Sequence, residues 1–309
     1  MFSQGTLISD RTPVWSLLRI TITLLTGILA GSFVAIPLAA YVYGIDVTYN
    51  DNPDLSMAMP LLFTQGVVSF ISFIVFPIIH ITALEHKPLT PLVDRRLHLT
   101  QTLLLVALLG LVFPIAISPL AEWNANLKFP EFMGSFEQWA RQQEDVLAQM
   151  TDVVTSFSTI GDLLIALLVM AVFAGIGEEL VFRGMIQNEL WRGTNNIHLA
   201  IWTSAFVFSA IHLQFFGFVP RLLLGALFGY LYYWSGNLIV PIAAHFVNNA
   251  FGVVMRYLYN IKAISTDVEE VDSAPWSLVV ICIVLAGVLL YQVRKLYLNA
   301  PGTASDKSY

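Results

Sequence analysis

The chain has 309 residues, of which 57% are hydrophobic and 12% charged, and its mean hydropathy is +0.72. A soluble globular domain carries about 25% charged residues, so the composition excludes a water-soluble fold and describes an all-α polytopic membrane protein. The net charge of -6 comes with no basic tract, which argues against nucleic acid as a partner, and the single cysteine, Cys282, offers neither a disulfide framework nor a cysteine metal site.

A hydrocarbon core about 30 Å thick takes roughly 20 apolar residues per helix. On that rule eight spans are expected, over 15–43, 57–84, 98–121, 162–190, 197–214, 217–234, 237–258 and 276–297. The first is too long for a signal-peptide core and is read as a retained span. Connections holding Arg11, Lys87, Arg95, Arg96, Arg192, Arg294, Lys295 and Lys307 alternate with acidic ones. The acidic connections hold Asp46, Asp51 and Asp54, then Glu122 through Asp152, then Asp267, Glu269, Glu270 and Asp272. Lys and Arg mark the cytoplasmic side, so both termini are expected inside. Three parts follow: N-terminal spans with an outer segment over 1–161, a central core over 162–258, and a last loop, span and cytoplasmic tail over 259–309. The tail APGTASDKSY is polar and is expected to be disordered.

Between spans three and four, Phe132, Phe136, Trp139, Val146, Met150, Val153 and Phe157 recur at helical spacing, with Glu137, Arg141, Glu144 and Asp145 among them. This predicts an amphipathic helix over 131–158 on the outer face, serving as a packed connector or as a substrate lid.

Three polar groups interrupt the apolar spans. In GIGEELVFRG, residues 175–184, Glu179 and Arg183 stand four apart and meet on one helix face. Glu178 is rotated about 100° from Glu179, which leaves it free to face a water-filled cavity. The second group ends in His212, within Phe208-Ser-Ala-Ile-His212 of span five. The third is His245-Phe-Val-Asn-Asn249 in span seven, where His245 and Asn249 share a helix wall and Asn248 points off it. Helical rise places Glu178 and His245 in the inner half of the membrane, whereas His212 falls near the outer end of a short span five, a mismatch in depth.

Polar atoms in hydrocarbon must find partners, and one shared site supplies them with the fewest exposed groups. Such a site suits hydrolysis of an amide, which needs an activated water and a stabilised oxyanion. Glu178 can take the proton from water, His212 can hold the same water, and His245 and Asn249 can donate to the oxyanion. There is no His-Glu-x-x-His zinc helix, no Gly-x-Ser-x-Gly nucleophile and no paired intramembrane aspartates.

EELVFR, FSAIH and HFVNN resemble, in order and spacing, the three motifs of the CPBP family, which comprises CAAX prenyl-protein endopeptidases and bacterial proteins linked to bacteriocin processing and immunity. The resemblance covers residues 162–256. It implies a glutamate-dependent intramembrane endopeptidase on an eight-helix fold, with its site in a cavity open to the cytosolic half. On this resemblance Glu178 is the water-activating base, with His212 beside it. His245 and Asn249 form the oxyanion site, and Glu179 and Arg183 support it. A zinc ion held by Glu178, His212 and His245 is the alternative. The metal-free form is preferred because Asn249 and the second glutamate suit it better. The expected substrate is a membrane-associated peptide or protein, acted on in a bacterial inner membrane. A non-catalytic protease-like scaffold or bacteriocin-immunity protein is the competing reading. A proton-coupled transporter is a third, but the broken helices and inverted repeats of many transporter folds are not apparent.

Overall fold

The computed structural model describes residues 12–44, 55–93, 98–265 and 273–298. Of the residues used above for orientation, Arg11, Arg95, Arg96, Lys307, Asp46, Asp51, Asp54, Asp267, Glu269, Glu270 and Asp272 lie outside this set, as does the tail. Among the described residues the chain is all-α. Its helices are α1 (Pro13–Tyr43), α2 (Leu55–Leu84), α3 (Leu99–Ala116), α4 (Ser118–Ala125) and α5 (Gly134–Val154). There follow α6 (Ile160–Thr194), α7 (Ile197–Ala210), α8 (Phe218–Ser235), α9 (Ile239–Asn260) and α10 (Trp276–Leu298).

Among the described residues, seven helices are long and apolar enough to cross a membrane: α1, α2, α3, α6, α8, α9 and α10. The expected fifth span is the shorter α7, whose 14 residues rise only ~21 Å. Its boundaries are set by side-chain chemistry. Asn195 closes α6 in the left-handed region at φ 51°, and Asn196 caps α7 by accepting from the Leu199 amide at 3.1 Å. At its other end α7 stops at Ala210, and residues 211–217 turn the chain into α8. The third span also ends early, because Ile117 breaks it and Ser118-Pro119 starts α4 in a new direction.

The start of α1, the end of α2 and the end of α6 come together at one end of the bundle. There Arg19 and Lys87 pair with Glu85, and Arg192 pairs with Glu189 and reaches Ser16 at 3.2 Å. That meeting is what alternating spans require.

At the other end α5 lies across the bundle. Its N-terminal half packs Phe136 and Trp139 against Phe215, with ring centroids 5.2 and 5.4 Å apart. Its C-terminal half buries Val153 and Val154 against α2 and α6, and Asp152 pairs with Arg256 of α9 at 2.8 Å. The amphipathic helix is therefore a packed strap, although the inward stripe differs from expectation. Phe132 is 86% exposed and Val146 40%, while the polar Arg141 and Glu144 face the bundle.

Candidate active site

The central helix α6 is not a uniform α-helix. It widens to π-helical pairing over Leu167–Phe173 and Leu180–Gln187, leaving an α-helical stretch, Ala174–Glu179, that ends on the two glutamates. Such local widening is frequent at functional sites. Close packing fixes this stretch in place. A Cβ on Gly177 would stand 2.7 Å from the Phe73 Cβ of α2, a distance no real pair tolerates. Glycine there lets α2 and α6 approach backbone to side chain.

Glu179 and Arg183 are fully buried, with side-chain exposures of 0% and 1%. Arg183 Nη1 donates to Glu179 Oε1 at 2.7 Å, as their spacing predicts, and Nη2 donates to the Gly225 carbonyl of α8 at 2.6 Å. His245, on α9, donates from Nδ1 to the same Glu179 oxygen at 2.8 Å. Two donors therefore converge on one carboxylate oxygen. The guanidinium also lies over the rings of Phe208 and Phe228, 5.0 and 5.4 Å from their centroids. Charge is thus balanced in a site that could not hold an isolated ion.

A carboxylate only accepts, so His245 carries a proton on Nδ1 and presents Nε2 to the other glutamate. Nε2 lies 3.8 Å from Glu178 Oε2. Phe228 stacks on the imidazole, with centroids 4.8 Å apart and planes 18° apart, and Phe208 meets it edge-on at 6.0 Å. The ring has one orientation. Glu178 differs from Glu179 as expected: its side chain remains 21% exposed and faces the histidine rather than the arginine.

His212 lies beyond the end of α7, in the turn, and not within a helical span. Its Nδ1 donates to the Phe208 carbonyl at 2.7 Å, which leaves Nε2 with a lone pair. The Phe208 ring packs on both histidines, 5.2 Å from His212.

Asn249 is bound elsewhere. Its Nδ2 donates to the Met170 carbonyl at 2.9 Å, and its Oδ1 accepts from Asn248 at 3.1 Å. One of its two N–H donors is therefore already engaged with the backbone of α6. Glu178, Glu179, Arg183 and His245 form a connected set, His212 joins them through Phe208, and Asn249 anchors α9 to α6.

The lone pairs of the two histidines and the Glu178 carboxylate are chemically suited to zinc. Among the described residues, however, no three His, Cys, Asp or Glu side chains converge as a ligand set. No step below is routed through a metal.

Residues 160–251, which hold this whole constellation, match the family model described as type II CAAX prenyl endopeptidase Rce1-like. That segment is similar to the Rce1-like family. An uncharacterized protein of Bacillus subtilis (strain 168), YpbD, is 33% identical over 85 residues, 26% of this chain. The match spans 40% of that relative's length. No solved structure gives a significant match.

Four neighbours of this site escaped the sequence reading. Phe228 fixes the His245 ring, the Gly225 carbonyl receives Arg183, Arg221 stands near the turn, and α5 holds the turn from above. A Cβ on Gly225 would stand 3.0 Å from the Ala205 Cβ of α7, so a small residue is needed where α7 and α8 cross.

Proposed function

We propose that this protein is an intramembrane endopeptidase of the glutamic type, cutting a peptide bond in a membrane-associated peptide or protein. The observation that carries this reading is the inequality of the adjacent glutamates. Glu179 is consumed by Arg183 and His245, whereas Glu178 is partly exposed beside the Nε2 of an oriented histidine.

In the reaction Glu178 takes a proton from water as the water oxygen bonds to the scissile carbonyl carbon. His212 Nε2 accepts the second hydrogen bond of that water. The oxyanion receives an Nε2–H from His245, which takes up a proton from solvent before the attack, keeps Nδ1–H on Glu179 throughout and gives that proton back as the products leave. The remaining Nδ2–H of Asn249 is the second oxyanion donor. Collapse of the tetrahedral intermediate breaks the C–N bond, and the proton held by Glu178 passes to the leaving amine. Atoms and charge balance without a cofactor. A bacterial cytoplasmic membrane with both chain ends on the cytoplasmic side is the setting that suits the charge pattern.

The test compares termini of membrane proteins in cells expressing the wild type or Glu178→Ala. Loss of a positioned general base costs about 10²–10⁴-fold, so new termini present with the wild type should vanish with the variant. Identical terminal profiles, with both proteins folded and equally abundant, would sink the assignment in favour of a non-catalytic scaffold.

A further inference from the structure

A cavity of about 400 Å³ lies where α7 ends, between the turn at 211–217 and the connection from α4 to α5. Its walls include Leu127 and Phe129 of the connection, Phe206 and Ala210 of α7, Leu213 of the turn and Val219 of α8. This is the size range of ligand pockets, about 300–1,000 Å³. The polar side chains that line it are already engaged. Asn124 donates from Nδ2 to the Phe215 carbonyl at 3.1 Å and accepts from the Val219 amide at 2.7 Å. Ser209 donates to the Phe218 carbonyl at 2.7 Å, and Gln214 Oε1 accepts from Arg221 at 2.7 Å. A polar occupant would lose its water for few new partners. An apolar chain fits.

The bilayer supplies such a chain at this place. α7 begins shortly after Arg192, whose contacts with Glu189 and Ser16 stand at the charged end of the bundle. Its 14 residues rise ~21 Å against a hydrocarbon core of about 30 Å, so a shortfall of ~9 Å falls at its far end, beside the cavity. Along α7, Leu199, Trp202 and Phe206 recur at helical spacing and are all exposed, a stripe that faces lipid. Phe206 ends that stripe and also walls the cavity, as does the exposed Leu213. The cavity is therefore continuous with the lipid-facing surface. Left empty, its lining would forfeit dispersion contacts, and lipid adjusts locally to a span shorter than the bilayer.

We propose that this cavity is a lipid site, filled by one acyl chain of a bilayer phospholipid that makes up the missing length of α7. The chain packs against the turn that carries His212 and against the Phe129 and Phe216 rings, whose centroids are 6.3 Å apart. Because the polar lining is engaged, the site selects the chain and is indifferent to the headgroup. The inference goes beyond the endopeptidase reading and holds whether or not the protein cuts a peptide.

The experiment uses the purified full chain in phosphatidylcholine nanodiscs, doped with a phosphatidylcholine that carries a diazirine at the end of one acyl chain. After irradiation, adducts are located by peptide mass spectrometry, a readout that needs no turnover. Adducts should appear at Leu127, Phe129 or Val219 within the cavity, as well as at Val280 and Ile283 on the exposed face of α10. Ala210→Trp, which fills the cavity, should lower the first set several-fold and leave the second unchanged. A phosphatidylglycerol probe with the same chains should label the cavity equally. If Ala210→Trp fails to fold, Leu127→Trp narrows the cavity from the opposite wall and is read at Phe129 and Val219. Cavity residues without adducts overturn the proposal, as do adducts that the filling variant leaves unchanged or that follow the headgroup. Loss of cavity labelling to an N-palmitoyl peptide, present far below the level of phospholipid, also overturns it and assigns the space to a substrate's tail.

Discussion

The two glutamates of one helix turn sit in opposite surroundings. Glu179 is sealed, receives two donors on one oxygen, and is held by a buried arginine between two aromatic rings. Glu178 keeps contact with open space and faces a histidine at 3.8 Å. On its side the second histidine comes from a turn rather than a helix. One region is therefore built like a core, where every change is felt as stability. The other is built like a site, where rotation and water are tolerated and changes are felt as rate. On the proposed reading, the contrast makes the buried ion pair a positioning device that orients chemistry without taking part in it. Its own contribution to stability is small, but breaking it strands a charge.

The most severe break of the contrast is Arg183→Ala. It leaves Glu179 buried with His245 alone, and the cost expected for an orphaned buried charge is roughly 3–5 kcal/mol. Thermal or denaturant unfolding in detergent should show that loss, with activity falling in parallel. A variant of full stability would mean that Glu179 is not held ionised by Arg183, and the division of roles between the glutamates would fail.

His212→Ala should behave in the opposite way. A hydrogen bond that helps to hold the reacting water is worth about 1.5–3 kcal/mol when its partner is charged, or roughly 10–100-fold in rate. Folding should suffer only about 1 kcal/mol, since the side chain makes a single hydrogen bond, to the Phe208 carbonyl. Rate measured on any substrate found by terminal profiling, set against an unfolding midpoint, gives the comparison. A large stability loss with an unchanged rate would move His212 to the structural side.

These differences explain what could be read from the sequence. The i,i+4 pairing of Glu179 with Arg183 and the separate orientation of Glu178 follow from helical geometry, and both are present. The spans were legible because hydrocarbon imposes length and composition. The turn at 211–217 was not, because Phe208-Ser-Ala-Ile-His212 is as apolar after the helix ends as within it. Nor was the inner face of α5. A hydrophobic stripe predicts which residues are buried, but the aromatic cluster on Phe215 and Phe216 turns Arg141 inward over the Phe216 ring and Glu144 onto the Phe216 amide. Asn249 was placed on the right helix wall, yet periodicity cannot tell that its amide bonds the Met170 carbonyl.

The smallest expected effect probes how α5 holds the turn that carries His212. Glu144 accepts from the Phe216 amide, and burial, the largest influence on it, raises its carboxyl above the ordinary 4.5 while that amide pulls it down. A raised acid is neutral in the folded protein at pH values where the unfolded chain has already ionised. The folded state is thus favoured most below the unfolded value, and that advantage is lost as pH rises through the folded value. Glu144→Gln removes this titration and keeps a side-chain acceptor for Phe216. The melting temperature of the variant relative to the wild type should therefore climb as pH rises from below 4.5 toward neutrality, and level off beyond. A difference that is flat with pH, or that falls, would mean that the charged carboxylate is the form α5 needs, with Arg221 as its counter-ion.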